Sequence, residues 1–187
     1  MHMPTLRRRW TVADLDDLPD DGNRYEVIDG ELFVTPSPSL RHQDAVGCLH
    51  LLLSGYLDVE QVGHPYVSPG EIVFSPHRGV QPDVFVIPLI DGRRPESFRD
   101  VTRLLLAVEV LSPSTARADR VAKRTLYRDV GVPEYWIVDL DARTIERSTP
   151  GNPRPEILVD RLEWHPDGAT QPMVVDVEAY FATVLDR

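Results

Sequence analysis

Glu109 stands inside one of the most apolar stretches of the sequence. Residues 104–111 read Leu-Leu-Leu-Ala-Val-Glu-Val-Leu, a composition that predicts a strand covered on both faces. An uncompensated carboxylate in such a strand costs roughly several kcal/mol, which is comparable to the stability of a whole domain. Glu109 must therefore meet a cation, a metal ion or a proton.

The segment that follows supplies a cation. Within the helical pattern of residues 116–130, Asp119, Lys123 and Tyr127 recur every four residues on a face that is otherwise apolar. Lys123 is therefore predicted to point inward, where it could form a structural ion pair with Glu109. Alternatively, it could orient or activate an attacking water, or stabilise negative charge on a phosphoryl group. Asp119 is interpreted as a partner of Lys123 one turn away.

Two more carboxylates could join this site. Asp83 follows Pro82 at the start of a predicted strand, and on its own it would be an ordinary strand-start aspartate. Together with Glu109 on a neighbouring strand, it would form the smallest oxygen cage for a hard cation such as Mg²⁺, with Mn²⁺ as a possible substitute. Glu26 could face this site or solvent. His42 could lie close to the site or merely decorate the first turn of a helix.

The same helix carries a basic stripe on its far side. Its arginines recur at helical spacing: Arg117, Arg120, Arg124 and Arg128. Such a stripe is typical either of a solvated face or of a face that binds phosphate.

The elements that must position these residues form a strand, helix and strand over residues 104–139. This right-handed crossover unit predicts a sheet that is at least partly parallel. Its helix should end at Gly131, in a left-handed conformation, before Pro133. The other predicted elements are a hairpin over 25–34 turning at Asp29-Gly30, a core helix from 39 to about 57, strands at 71–74, 84–87, 143–146 and 156–159, a turn at 75–79 and a terminal helix over 176–185.

Composition narrows the classes of function. The chain has 187 residues, which predicts one domain spanning 1–187, and its formal charge of -10 counts against non-specific binding to nucleic acid without excluding it. Cys48 is the single cysteine, so no internal disulfide can form, and no long apolar span indicates a membrane segment. A cytoplasmic location is expected. The six histidines lack zinc-site spacing.

These residues together resemble the Uma2 family, a bacterial branch of the PD-(D/E)XK nuclease superfamily. The resemblance is carried by Arg24 to Glu31, Pro82-Asp83, Glu109 to Thr115, the helix with Asp119, Lys123 and Tyr127, and Gly131 to Trp136. It implies an α/β fold with a restriction-endonuclease-like core, in which a mixed sheet is flanked by helices and preceded by a β-hairpin. The superfamily's aspartate maps onto Asp83 and its second acid onto Glu109. Two positions later, where the superfamily has lysine, this chain has Leu111, so that role falls to Lys123.

The resemblance implies Mg²⁺-dependent cleavage of DNA phosphodiester bonds. Asp83 and Glu109 would bind the metal, Lys123 would position or polarise the attacking water, and Glu26 would support the metal or that water. A homodimer would suit cleavage of both strands. Two alternatives stay open: a nuclease-fold binding or assembly module that does not cleave, and a hydrolase of RNA or of small phosphodiesters.

Overall fold

The computed structural model describes residues 8–186, so residues 1–7 and 187 of the predicted domain lie outside the described residues. In chain order the strands are β1 (Arg24–Ile28), β2 (Glu31–Thr35), β3 (Gly63–Val67), β4 (Ile72–Ser75), β5 (Arg78–Val80), β6 (Val84–Pro88), β7 (Leu106–Val110), β8 (Glu134–Asp139), β9 (Thr144–Ser148), β10 (Glu156–Leu158), β11 (Arg161–Trp164) and β12 (Met173–Asp176). The helices are α1 (Leu40–Glu60), α2 (Arg124–Asp129) and α3 (Val177–Leu185), with short 3-10 helices at Val12–Asp17 and Phe98–Asp100 and a π-helical segment at Ala118–Lys123.

A mixed sheet of six strands forms the centre of the fold. Its spatial order is β10-β9-β8-β7-β6-β3, in which β7 and β8 are parallel and the other neighbours are antiparallel. The π-helical segment and α2 connect β7 to β8, which confirms the predicted crossover unit. A second, antiparallel sheet has the order β2-β1-β5-β4, and β11 pairs with β12. The predicted α/β class with a mixed sheet and flanking helices is confirmed.

The central sheet is covered on both faces. One face packs against α1 and α3, through residues such as Leu53, Trp136 and Phe181. The other packs against α2 and the second sheet, through residues such as Phe85 and Tyr127. Because side chains alternate along a strand, Val108 and Val110 of β7 face α1, whereas Ala107 and Glu109 face α2. The side chain of Glu109 therefore lies in the same layer as the π-helical segment that carries Lys123.

The hairpin of β1 and β2 turns as the sequence predicts. Asp29 and Gly30 both have positive φ angles, 52° and 85°, which is the pattern of a type I′ turn. This turn matches the twist of its strands and sets a register in which Glu26 opposes Phe33. The position of Glu26 in the second sheet is fixed in this way.

The helix of the crossover unit differs from the prediction. The pattern over 116–130 predicts a continuous α-helix, but Ala118–Lys123 is π-helical and α2 begins at Arg124. Both buried residues of the π-helical segment are charged, Asp119 and Lys123. π-Helical turns are rare and occur frequently at functional sites. None of the helices within 8–186 has the length and apolarity needed to cross a membrane.

Other boundaries also differ from the predicted ones. The segment predicted as a turn at 75–79 ends in strand β5, which pairs with β1 on one side and β4 on the other. The first core helix is longer than predicted, running from a Ser39 cap to Glu60. The hairpin of β11 and β12 is absent from the sequence prediction.

The glycine that follows α2 provides a test of backbone strain. Gly131 has a φ of 77°, and a methyl group at this position would meet no atom of residues 8–186 within 4 Å. We therefore expect Gly131→Ala to lower the free energy of unfolding by about 1–2 kcal/mol through backbone strain alone, measured by urea denaturation. Gly47 is an exposed residue inside α1 that also has no neighbour within 4 Å. Gly47→Ala should instead raise stability by about 1 kcal/mol, so a change of the same sign in both variants would contradict this account.

Candidate active site

Lys123 lies at the centre of a buried cluster of acids. Its Nζ atom is 2.8 Å from Oε1 of Glu109, 2.9 Å from Oε2 of Glu26 and 3.8 Å from Oδ1 of Asp119. The hydroxyl of Tyr127 donates to the same oxygen of Glu109 over 3.3 Å. The Lys123 side chain is only 2% exposed. The helical spacing thus brings Lys123 to Glu109, as the sequence predicts, and places Asp119 beside it.

Glu26 faces this cluster and not solvent. Its Oε1 atom accepts a hydrogen bond of 2.7 Å from the backbone N–H of Gln81, while Oε2 points toward Lys123. The side chain is 1% exposed. The alternative in which Glu26 is a surface residue of the hairpin is excluded by this position.

Asp83 adjoins the cluster at the start of β6. Its Oδ2 atom accepts a hydrogen bond of 2.8 Å from the backbone N–H of Val110 and lies 3.0 Å from Nε2 of His42. Its carboxylate is therefore tied to both β7 and α1. His42 belongs to the site and does not merely decorate the first turn of its helix.

Arg24 is the main site residue that the sequence analysis missed. Its guanidinium lies 2.7 Å from Oδ1 of Asp83, 3.8 Å from Oε2 of Glu26 and 4.0 Å from Oε2 of Glu109. A signal was present in the sequence. Arg24 and Glu26 are two residues apart in a strand, so whichever side Glu26 faces, Arg24 faces it too.

The cluster carries an excess of acids. Four carboxylates, those of Glu26, Asp83, Glu109 and Asp119, face two permanent cations, Lys123 and Arg24. Burial raises the pKa of the Glu109 carboxyl well above its usual range, because the charge of Lys123 offsets that burial only in part. Burial also raises the pKa of Asp119. The cluster therefore favours uptake of a proton or a further cation.

The pKa of Asp83 is shifted in the opposite direction to that of Glu109. Burial opposes its ionisation, but the hydrogen bond with His42 and the charge of Arg24 outweigh burial, so the pKa of Asp83 lies well below its usual range. For Lys123, burial alone would lower the pKa, whereas the charges of Glu109 and Glu26 hold it well above its usual range. The same surroundings therefore lower the pKa of Asp83 and raise the pKa values of Lys123 and Glu109.

An open groove of about 1500 Å³ runs over the cluster. Its lining includes Arg24, His42, Asp83 and the turn after β7, residues 112–115. Glu26, Glu109 and Lys123 are almost fully buried and lie behind these groove residues. A molecule in the groove would therefore meet Arg24 and Asp83 first.

The donor atoms of the cluster suit a hard divalent cation. Carboxylate oxygens are the ligands that Mg²⁺ prefers, and the excess of acids supplies the charge. The described part of the chain has no group of three or more His, Cys, Asp or Glu side chains placed to hold a metal ion. The expected pair of Asp83 and Glu109 has Arg24 between its two carboxylates. The residues fit Mg²⁺ in chemistry, provided that Arg24 moves.

The basic stripe is partly neutralised by acids of the central sheet. Arg120 donates to Glu146 over 2.6 Å and to Asp139 over 2.8 Å, and Arg124 donates to Glu146 over 2.9 Å. Arg128 is exposed beside Asp129, and Arg117 is exposed. Arg120 and Arg124 of the predicted stripe thus have counter-charges on β8 and β9, which helical spacing does not reveal.

Comparison with known proteins identifies the family. The model of the Uma2 family, described as "Putative restriction endonuclease", matches residues 12–174. The chain belongs to the Uma2 family. The fold also resembles a crystal structure from Anabaena variabilis described as "a putative nuclease belonging to DUF820", with a TM-score of 0.76 and 18% sequence identity over 94% of this chain and 99% of that one. None of the curated proteins matches this Uma2 chain in sequence.

The protonation of Glu109 gives a prediction for stability against pH. Because its pKa in the folded protein lies above the value of 4.5 for an unperturbed glutamate, the folded state keeps a proton that the unfolded chain loses above that pH. Glu109 therefore lowers the free energy of unfolding as pH rises, by up to about 1.4 kcal/mol per pH unit. Glu109→Gln should lose this dependence between pH 5 and 7, as measured by urea denaturation.

Glu31→Gln provides the matched control, because Glu31 is an exposed glutamate of β2. This variant should follow the wild-type pH dependence. Parallel curves for wild type and Glu109→Gln would show that Glu109 is ionised in the folded protein.

Proposed function

We propose that this Uma2 protein is a Mg²⁺-dependent endonuclease that hydrolyses DNA phosphodiester bonds. The observation that supports this proposal is the buried cluster of three acids around Lys123, beside which Asp83 lines a groove. The description of the family supports nuclease activity, and its reference to restriction endonucleases favours DNA as the substrate.

In this proposal Asp83 and Glu109 hold the metal ion. The low pKa of Asp83 keeps it ionised, and its hydrogen bonds to Val110 and His42 fix the direction of its carboxylate. Mg²⁺ in such a site supplies a Lewis acid that polarises a phosphoryl oxygen and stabilises the charge that develops on it. Binding of the cation would favour the ionised form of Glu109, because carboxylates bind metal ions in their deprotonated form.

Lys123 would act as a donor of hydrogen bonds and of positive charge. A lysine whose pKa is raised stays protonated, so it cannot abstract a proton from water. It can orient a water molecule or stabilise negative charge near Glu109, in a site with little solvent. Glu26, fixed through Gln81 and Lys123, would support the metal or that water.

Contacts with DNA would come from arginines that are free to approach a phosphate. Arg117 and Arg128 are exposed, whereas Arg120 and Arg124 would first have to leave Asp139 and Glu146. A homodimer would place two such sites on two strands, and it remains part of the proposal.

A second candidate is a nuclease-fold binding module that does not cleave. The observation in its favour is that Lys123 already forms close ion pairs with Glu26 and Glu109, and Arg24 with Asp83. A buried network of this kind can serve only to fix the packing of the core. The two functions predict different effects of replacing Glu109 on the rate of substrate cleavage.

A plasmid-nicking assay tests the proposal directly. Wild type should nick supercoiled DNA with Mg²⁺ or Mn²⁺ and stop when a chelator is added. Glu109→Gln is close in shape but cannot carry the charge, so it should nick at least about a hundredfold more slowly, as expected for loss of a preorganised charged group.

The same assay includes a control variant and also tests the class of substrate. Glu31→Gln changes an exposed residue that does not line the groove, so it should nick like wild type. Equal nicking by wild type and Glu109→Gln would reveal a contaminating nuclease, and no nicking by either would favour the binding module. Cleavage of RNA or of a small phosphodiester with DNA left intact would support the metal site and overturn the choice of substrate.

Lys123→Met separates catalysis from packing. The change keeps the length of the side chain but leaves Glu26 and Glu109 without their cation, which should cost about 3–5 kcal/mol of stability in the absence of metal. If Mg²⁺ binds the acids, saturating Mg²⁺ should recover much of this loss while nicking still falls about a hundredfold or more. Urea denaturation with and without Mg²⁺, beside the nicking assay, measures both effects. A variant that unfolds and cleaves like wild type would exclude both roles of Lys123.

A further inference from the structure

In each of the two carboxylates expected to hold the metal, one oxygen contacts hydrogen-bond donors and the other oxygen faces Arg24. In Asp83, Oδ2 is held by the N–H of Val110 and by His42, and Oδ1 faces Arg24 at 2.7 Å. In Glu109, Oε1 is held by Lys123 and Tyr127, and Oε2 lies 4.0 Å from Arg24. The oxygens left for another cation are therefore the two that Arg24 approaches.

Arg24 also lies between this pair and the groove. Its side chain is 18% exposed and lines the groove, whereas the carboxylates of Asp83 and Glu109 are 3% and 1% exposed. Its Nε atom is buried and has no hydrogen-bond partner within residues 8–186. The guanidinium donates to Asp83 over 2.7 Å and to Ser68 over 3.4 Å, both through the same nitrogen, so it is not fixed by a full set of hydrogen bonds.

We propose that Arg24 is a displaceable guanidinium that occupies the cation position between Asp83 and Glu109, and that it pairs with a substrate phosphate in the groove once a divalent cation takes that position. This inference rests on the proposed metal-dependent cleavage. It assigns to Arg24 a positioning role that couples binding of the cation to binding of the substrate.

Two physical reasons support the exchange. A cation bound between Oδ1 of Asp83 and Oε2 of Glu109 would need the space that the guanidinium fills, and two cations in one buried position repel each other. Arg24 carries its charge at every pH of interest, so it cannot leave by losing its proton. It must move toward the groove, where its planar fork matches the geometry of a phosphate.

Metal affinity gives the first test, by isothermal titration calorimetry with Mg²⁺ alone. A guanidinium that fills the position about nine-tenths of the time weakens the apparent affinity about tenfold, so Arg24→Gln should bind Mg²⁺ about tenfold more tightly than wild type. Arg143 is a groove arginine paired with Asp186, away from the cluster. Arg143→Gln should therefore bind Mg²⁺ like wild type.

Binding of a non-hydrolysable DNA duplex in saturating Mg²⁺ gives the second test. Arg24→Gln should bind this duplex about tenfold more weakly, and the dependence of its affinity on salt should fall by about one unit of slope, as for the loss of one phosphate contact. Arg24→Lys keeps the charge, so it should recover most of the salt slope. The combination of tighter metal binding and weaker duplex binding is not expected of a residue with a structural role alone.

Asp83→Ala separates failure of this inference from failure of the proposed function. If wild type binds Mg²⁺ and Asp83→Ala does not, the metal site stands, and a Mg²⁺ affinity of Arg24→Gln equal to or below that of wild type overturns the role of Arg24. If wild type binds no Mg²⁺, or Asp83→Ala binds it equally, the metal site itself fails and the inference fails with it. Should Arg24→Gln not fold, Arg24→Lys decides the first test, because its smaller head group covers the two oxygens less completely and should bind Mg²⁺ more tightly than wild type.

Discussion

The rest of the site depends on the ion pairs that the buried ammonium of Lys123 forms. It contacts Glu109 from the central sheet and Glu26 from the second sheet, and it comes from the π-helical segment that joins β7 to β8. Three separate elements therefore meet at one charge. Because a buried carboxylate without a partner is costly, each of these elements is held in the place that keeps its own acid next to Lys123.

The same arrangement shifts the pKa values of two neighbouring acids in opposite directions. Asp83 has a pKa below its usual range because His42 and Arg24 outweigh its burial, whereas the pKa of Glu109 is raised because burial outweighs Lys123. Active sites often contain carboxyl groups whose surroundings push their pKa values apart in this way.

Much of this site could be predicted from the sequence, because its main signals are periodic. A glutamate in an apolar strand and a lysine on the apolar face of the next helix indicate each other without knowledge of the fold. Arg24 escaped prediction because an arginine at the start of a half-exposed strand is ordinary until its neighbours are known. Strand β5 has three residues and depends on β1 and β4 for its pairing, and the ion pairs of Arg120 join distant segments. Such features follow from tertiary contacts, which local patterns do not contain.

The origin of Lys123 in a helix affects how the protein tolerates insertions. A lysine two residues after an acid in the same strand would keep its place whatever the length of the following turn. Lys123 is instead fourteen residues from Glu109 in sequence. One residue inserted into the helical residues between Ala116 and Lys123 would rotate Lys123 by roughly 100° relative to the start of the helix and turn the ammonium away from both acids. The length of this helical segment is therefore under a constraint that its local sequence does not suggest.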